Sequence, residues 1–143
     1  MKEAKTYTNI DNCNPTFCIS GKINRCTRII GNVFRKHLKD FNITSSQLSV
    51  LFVITKGKDV NQKKISDILY LEKSTVNRNL NRLIKSGYIY TDEYSKLKIT
   101  DSGYEFLDNV IPQWNLAMDE IRDKIEKEGE DALNILLSNL TKQ

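Results

Sequence analysis

The chain has 143 residues, of which 39% are hydrophobic and 28% charged, values typical of one folded domain rather than of a disordered chain. No apolar run approaches the roughly 18–20 residues that a membrane-spanning helix needs. Residues 1–12 also lack the apolar stretch of a signal peptide. We therefore expect a cytoplasmic protein that does not contact a membrane.

The net charge of +4 is distributed unevenly along the chain. Residues 1–59 hold 10 Lys and Arg against 4 Asp and Glu, and residues 60–100 hold 8 against 4. Residues 101–143 reverse this balance, with 4 basic and 10 acidic residues. A basic front and an acidic rear favour a face that meets a polyanion, although ordinary patchiness of surface charge is the alternative interpretation.

The first predicted helix begins near residues 17–20 and ends near Lys39. Its apolar residues recur every three or four positions, the spacing of one helical face: Ile23, Cys26, Ile30, Phe34 and Leu38. Because Cys26 shares this apolar face, we expect its thiol to be buried and slow to react.

Three cysteines lie within 14 positions, at Cys13, Cys18 and Cys26. An odd, crowded set does not suit a secreted disulfide scaffold. A zinc site is disfavoured because no Cys-x-x-Cys occurs and the single histidine, His37, is distant. We expect free thiols, no metal and no cofactor, with Cys13 and Cys18 as the candidates for any redox role.

The second predicted helix begins at residue 44 or 45. Thr44 and Gln47 have the spacing of a capping box, in which each side chain bonds the other residue's backbone N–H. The helix is expected to end at Lys56, where Gly57 would supply a left-handed cap residue.

Two short helices and a hairpin are predicted between residues 61 and 99. Asn61 is a good N-cap for the third helix, with Ile65, Ile68 and Leu69 expected to face inward. The fourth helix runs from residue 73 or 74 to 85, with an apolar stripe of Val76, Leu80 and Leu83. Residues 88–90 and 97–99 are rich in strand-favouring residues and form the predicted hairpin.

A long helix is predicted from residue 100 or 101 toward residue 128. Pro112 should bend it, and Gly129 should break it before a last helix that ends near Leu140. The apolar stripes of these helices exceed what a lobe of about 40 residues can cover. Burial against a second copy of the chain is therefore expected, with packing inside the monomer as the alternative.

The outer face of the fourth helix carries the residue types that bind DNA. No Asp or Glu occurs between Lys73 and Tyr90. Arg can form paired hydrogen bonds with guanine and Asn with adenine, whereas Ser and Thr at a helix start can meet phosphate. The candidate contacts on this helix and near it are Gln62, Lys73, Ser74, Thr75, Asn77, Arg78, Asn81 and Arg82, with Lys96 and Lys98 of the hairpin. A solvated surface helix is the ordinary alternative, but such a helix usually mixes charges of both signs.

Arg78 and Arg82 are expected to have different roles on this helix. Arg78, one turn from the helix start, is placed to read a base edge. Arg82 is expected to pair with phosphate or to brace the hairpin.

Several residues between 60 and 89 follow the pattern of one protein family without gaps: Leu69, Leu71, Ser74-Thr75-Val76, Arg78, Arg82-Leu83 and Gly87. On these residues the segment resembles the winged-helix regulators of the multiple-antibiotic-resistance regulator (MarR) family. The likeness extends to residues 43–51 and 97–103 and covers roughly residues 17–140.

The resemblance implies a mainly α fold with a small β-hairpin wing in a single domain, residues 1–143. The winged helix-turn-helix lobe would span residues 44–100, with dimerisation helices at residues 17–40 and 101–142. It implies a homodimer that binds a near-palindromic operator in double-stranded DNA. It also implies a repressor relieved by a small apolar or phenolic effector between the lobes and the dimer helices, or by a cysteine switch.

Two features depart from the family pattern. The wing loop at residues 91–96 is short and has no Arg, which leaves Lys96 and Lys98 as phosphate-binding candidates. The turn before Leu71 has Tyr70 where the family usually has glycine, which indicates a different or a strained turn.

Enzymatic function has no support in the sequence, which has one histidine, no glycine-rich phosphate loop and no Gly-x-Ser-x-Gly motif. A winged-helix module that binds proteins and never touches DNA is the open alternative, because the fold hosts both uses. The acid-free outer face of the fourth helix favours DNA.

Overall fold

About 75% of the chain is helical in the computed structural model, which describes residues 4–142. Its elements are α1 (Thr8–Asp11), α2 (Ile19–Leu38), α3 (Ser45–Lys56), α4 (Gln62–Leu69), α5 (Lys73–Lys85), β1 (Ile89–Thr91), β2 (Leu97–Ile99) and α6 (Asp101–Thr141), with 3-10 turns at Pro15–Phe17 and Lys39–Phe41. The two strands pair antiparallel with Ile89 opposite Ile99. The mainly α fold with a small β-hairpin, predicted from the sequence, is confirmed. Among the described residues no helix is both long and apolar enough to cross a membrane.

Side-chain caps start α3, α4 and α6, and the sequence predicts the first two of them. The capping box of α3 is present, since Thr44 Oγ1 accepts from the Gln47 N–H and Gln47 Oε1 from the Thr44 N–H, both at 3.1 Å. Asn61 Oδ1 accepts from the Lys64 N–H at 2.8 Å and starts α4. Thr100 Oγ1 does the same for α6, from the Gly103 N–H at 3.0 Å. These side chains satisfy backbone donors that the first turn of a helix leaves free.

Gly57 ends α3, but not in the left-handed conformation expected for it. Its backbone is extended, with φ −81° and ψ 167°. A Cβ at this position would lie 2.5 Å from the carbonyl oxygen of Val53 and 2.5 Å from Cγ2 of Val60. Glycine is therefore required here by close approach of neighbouring atoms and not by backbone handedness.

One core joins the end of α2 with α3, α4, α5, the hairpin and α6. Its buried side chains are Leu38, Leu48, Val50, Leu51, Ile54, Val60, Ile65, Val76, Leu80, Leu83, Ile89, Leu97, Leu107 and Val110. The backbone of the hairpin is tied to the loop before α4 by the Leu97 N–H, which donates to the Val60 carbonyl at 2.8 Å. Ile68 is an exception to the prediction for α4, because it is 51% exposed rather than turned inward. The core thus supports α5 along its inner face.

The first strand starts at Ile89, one residue later than predicted. The Tyr88 N–H donates to the Leu83 carbonyl at 3.1 Å, and the Tyr88 carbonyl accepts from the Thr100 N–H at 3.0 Å. The backbone of Tyr88 thus links the end of α5 to the start of α6. The Tyr88 ring stacks on Phe106 of α6 at a centroid distance of 4.3 Å, which fixes the hairpin against that helix.

Helix α6 contains its break at Glu126, three residues before the predicted break at Gly129. Glu126 has φ 58° and ψ −176°, a conformation that interrupts the helix. A Cβ at Gly129 would lie 2.6 Å from Cβ of Ile125, so glycine lets the distal segment approach the segment before the break. The Arg122–Glu130 ion pair at 3.4 Å spans the same break.

Helices α2 and α6 are joined by a charged cluster around Glu120. Its carboxylate lies 2.6 Å from Lys36 Nζ and 2.7 Å from His37 Nε2. The hydrogen bonds from Lys36 and His37 lower the pKa of Glu120 to about 2. The two helices predicted to serve dimerisation therefore already contact each other within one chain.

Candidate nucleic-acid interface

The turn between α4 and α5 keeps a left-handed residue at the position where the family pattern has glycine. Tyr70 ends α4 with φ 53° and ψ 37°, and its side chain is 73% exposed. Ser66 Oγ donates to the Leu71 carbonyl at 2.6 Å, and Gln62 Nε2 donates to the Lys73 carbonyl at 3.3 Å. These bonds from α4 position the start of α5.

Helix α5 begins at Lys73 and ends at Lys85, as the sequence predicts. Val76, Leu80 and Leu83 are buried against the core, which turns the opposite face of the helix outward. The candidate residues on that face do not form one cluster but divide between two sides of the helix.

The first group faces a groove of about 670 Å³ between α4, α5 and the hairpin. Asn77 and Asn81 line it from α5, with Lys73 at the helix start and Gln62 from α4. Ser74 borders a shallower depression beside it, together with Gln62, Lys73 and Asn77. The structure thus brings five of the sequence-predicted residues together at one surface.

Arg78 lies on the exposed face of α5. Its Nη2 donates to Oγ1 of Thr75 at 3.2 Å, a bond to a residue one turn earlier on the same helix. Arg78 makes no ion pair among residues 4–142, so its guanidinium remains available to an external acceptor.

Arg82 lies apart from this group, beside a cavity of about 760 Å³ between α2, the start of α3 and the end of α5. Lys85 lines the same cavity from α5, and Arg35 and Lys39 line it from the other side. The apolar part of the wall comes from Phe34, Leu38, Ile43, Leu83 and Tyr88. Within the described chain no Asp or Glu lines this cavity, which therefore combines four cations with apolar walls.

The hairpin carries the two remaining basic candidates. Lys98 is exposed and pairs across the strands with Tyr90, whereas Lys96 is partly buried at the loop. Asp92 Oδ1 accepts from the backbone N–H of Tyr94 at 2.9 Å and of Lys96 at 2.8 Å. Asp92 is thus used to close the turn, whereas Glu93 and Lys98 are exposed.

All three thiols are exposed in the single chain. The expectation that Cys26 is buried is wrong, because the part of α2 from Ile23 to Ile29 contacts too little of the same chain to be covered. Cys18 caps α2, with its Sγ accepting from the Gly21 N–H at 3.3 Å. Cys13 lies in the exposed segment before this helix.

Asn79 is a residue of α5 that the sequence prediction missed. It lies on the buried side of the helix, 9% exposed, and its Nδ2 donates to Oγ of Ser46 in α3 at 3.1 Å. The signal was present in the periodicity, because position 79 falls within the inner stripe of Val76, Leu80 and Leu83. A polar residue at such a position needs a buried partner, which the sequence does not name.

Residues 41–94 match the model of the MarR family. The chain is 34% identical over 68 residues to the uncharacterised HTH-type transcriptional regulator YwoH of Bacillus subtilis, a match that covers 48% of this chain and 50% of that protein. It is 26% identical over 121 residues to the uncharacterised HTH-type transcriptional regulator BCE33L1758 of Bacillus cereus, covering 82% and 81% of the two chains.

Two solved structures show the same fold. One is the M. tuberculosis transcriptional regulator MosR in complex with DNA, with a TM-score of 0.72, 21% identity and coverage of 83% of this chain and 94% of that one. The other is the transcriptional repressor CouR bound to p-coumaroyl-CoA, with a TM-score of 0.80, 18% identity and coverage of 90% and 94%. At these identities the likeness concerns the fold.

Proposed function

Because this chain belongs to the MarR family of transcriptional regulators, we propose that it is a homodimeric repressor whose α5 enters the major groove of a near-palindromic operator. Regulators of this family are DNA-binding proteins and not enzymes. The observation that supports the proposal best is the outer surface of α5, where Arg78 and the groove residues form a polar, basic face without an acid. A protein with this function would act in the cytoplasm, because the DNA that it binds lies there.

The residues of this face have distinct proposed roles. Arg78 is the candidate for paired hydrogen bonds with guanine, and Asn77 and Asn81 are candidates for adenine. Ser74 and Thr75 lie in the first turn of α5, where the free N–H groups and the helix dipole favour phosphate. Gln62, Lys73, Lys96 and Lys98 complete the proposed surface as contacts to the DNA backbone.

The proposed dimer uses α2 and α6, so that the dimerisation region comprises residues 17–40 and 101–142 around a lobe at residues 44–100. Both helices expose apolar side chains in the single chain: Ile19, Ile23, Ile29, Leu133, Ile135, Leu136, Leu137 and Leu140. The exposed part of α2 also carries three cations, whereas the distal segment of α6 is acidic. Apolar area of this extent, with opposite charges on the two helices, supports association with a second copy.

The proposed effector is a small aromatic or other apolar compound that carries an anionic group. The cavity beside Arg82 supports this class, because its apolar walls would hold a ring and its four cations would hold a carboxylate or phosphate. It lies between the lobe and α2, so an occupant would contact both parts of the chain. A redox signal through Cys13 and Cys18 is the second candidate, supported by the exposure of both thiols.

Selection of bound genomic fragments followed by sequencing would supply the operator. Fluorescence anisotropy with operator and scrambled duplexes, across a salt series, then tests the proposal. The wild type should prefer the operator and lose affinity steeply as salt rises. A chain that shows neither preference nor salt dependence would be a protein-interaction module instead.

Arg78→Lys is the sharpest variant for the same assay. Lysine keeps the positive charge but cannot form the two parallel hydrogen bonds of a guanidinium. We expect the salt dependence to stay unchanged while the preference for the operator falls about tenfold or more, the loss of one paired base contact. An unchanged preference would show that α5 does not read the DNA through Arg78.

A further inference from the structure

Asn79 is a buried amide on the face of α5 that packs against the core. It is 9% exposed, and the side chains that flank it on this face, Val76, Leu80 and Leu83, are 5% exposed or less. Its Nδ2 donates to Ser46 Oγ at 3.1 Å. In the described part of the chain this is the one side-chain hydrogen bond between α3 and α5.

Stability alone does not explain an amide at this position. Burial of an amide is unfavourable unless it is hydrogen-bonded, and an apolar side chain of similar size would gain more from the same burial. An amide bonded to a hydroxyl differs from an apolar contact in being directional. Apolar packing tolerates a small rotation of one helix on another, whereas the Asn79–Ser46 bond does not.

A small rotation of α5 would matter at its outer face. Side-chain atoms on a helix lie about 5 Å or more from its axis, so a rotation of about 20° moves them by about 2 Å. Such a movement is enough to break a paired hydrogen bond with a base edge. Arg78 is the neighbour of Asn79 in the chain, and Asn77 lies two residues before it, so both depend on the rotation that Asn79 sets.

We propose that Asn79 is a positioning residue for DNA selectivity: through Ser46 it fixes the rotation of α5, and thereby which base edges Arg78 and Asn77 reach. This inference rests on the proposed DNA-binding function. Asn79 itself faces the core and does not contact DNA. Its loss should therefore affect recognition of the operator and leave the general attraction to the DNA backbone unchanged.

The test compares Asn79→Leu and Ser46→Ala with the wild type by anisotropy on operator and scrambled duplexes. Both variants should keep the wild-type affinity for scrambled DNA and its salt dependence, while the ratio of operator to scrambled affinity falls about tenfold. The double variant should fall no further than either single variant, since both remove the same bond. A variant that merely unfolds in part would lower both affinities by one factor and keep the ratio.

The outcomes separate the two proposals. If the wild type prefers its operator and folded Asn79→Leu keeps the same ratio, the positioning role is wrong and the DNA-binding function stands. If Asn79→Leu fails to fold, Ser46→Ala decides alone, because it removes the same bond from a partly exposed site. If the wild type itself shows no preference for any duplex, both proposals fail together.

Discussion

Arg78 and Arg82 are one turn apart on α5, yet their surroundings differ. Arg78 lies on the outer face, bonded only to the hydroxyl of Thr75 within the chain. Arg82 lines the cavity beside Lys85 and opposite Arg35. Four positive charges around one cavity repel each other, and an anion would relieve that repulsion. The two arginines should therefore respond to different ligands.

Benzoate is a suitable probe of the cavity, with benzamide as its uncharged counterpart. We expect the wild type to bind benzoate better than benzamide and Arg82→Ala to weaken benzoate binding about tenfold, the effect of one charge-assisted hydrogen bond. Arg78→Ala is the matched control, because it removes the same side chain outside the cavity and should leave benzoate binding unchanged. Calorimetric titration measures all four cases. Equal binding of the amide and the acid would contradict an anionic effector.

The backbone of Tyr70 is strained, and no function is evident for that strain. Its left-handed backbone costs about 1 kcal/mol or more for any residue with a Cβ, and its exposed ring gains little packing in return. Tyr70→Gly should therefore raise the free energy of unfolding by about 1 kcal/mol relative to Tyr70→Ala, which loses the ring but keeps the Cβ. Urea unfolding at one fixed protein concentration compares them. Equal stability of the two variants would mean that the turn is unstrained.

At the scale of elements, the ion pairs of Glu120 should add a pH-dependent part to the contact between α2 and α6. The pKa of this carboxyl is about 2 in the folded chain, against 4.5 for an unperturbed Glu. The unfolded chain therefore takes up this proton first as the pH falls. The stabilisation by Glu120 is complete above about pH 4.5 and is lost as the pH falls toward 2.

Glu120→Gln tests this pH dependence. The variant cannot ionise, so its unfolding midpoint should fall less between pH 4.5 and pH 2 than that of the wild type. Glu105→Gln on the same helix is the matched control and should follow the wild type. Thermal unfolding followed by circular dichroism across this range provides the measurement. Parallel curves for wild type and Glu120→Gln would show that the ion cluster does not stabilise the contact.

The starts of α3 and α4 could be predicted from sequence because a cap is a local contact, such as that between Thr44 and Gln47. The break in α6 could not, since Glu126 and Gly129 take their conformations from the packing of one helical segment on another. The candidate site, too, could be predicted only in part. Periodicity identified the polar outer face of α5, but the separation of Arg82 from Asn77 depends on where α2, α4 and the hairpin pack against that helix.

At the scale of the whole molecule, the uneven charge along the sequence corresponds to separate regions of the fold. In the lobe, α5 and the hairpin border one groove. The acidic distal segment of α6 is a separate helix beyond the break at Glu126, with its leucines exposed. This segment packs against little of its own chain. In the proposed dimer a second copy of the chain would cover its leucines.

Leu133 and Leu137 lie one turn apart on this segment and are 51% and 58% exposed. We expect the double variant Leu133→Glu, Leu137→Glu to weaken dimerisation by more than about tenfold, because a carboxylate is costly to bury in an apolar interface. Operator affinity should fall with it, since each half-site alone contributes little.

The matched control is Asn134→Glu, Ser138→Glu, which adds the same charges one position further along the same segment. Sedimentation velocity across a concentration series gives the dimer constants. A stable dimer in the leucine variant would place the interface outside the distal segment of α6. A monomeric wild type would show that the proposed dimer does not form.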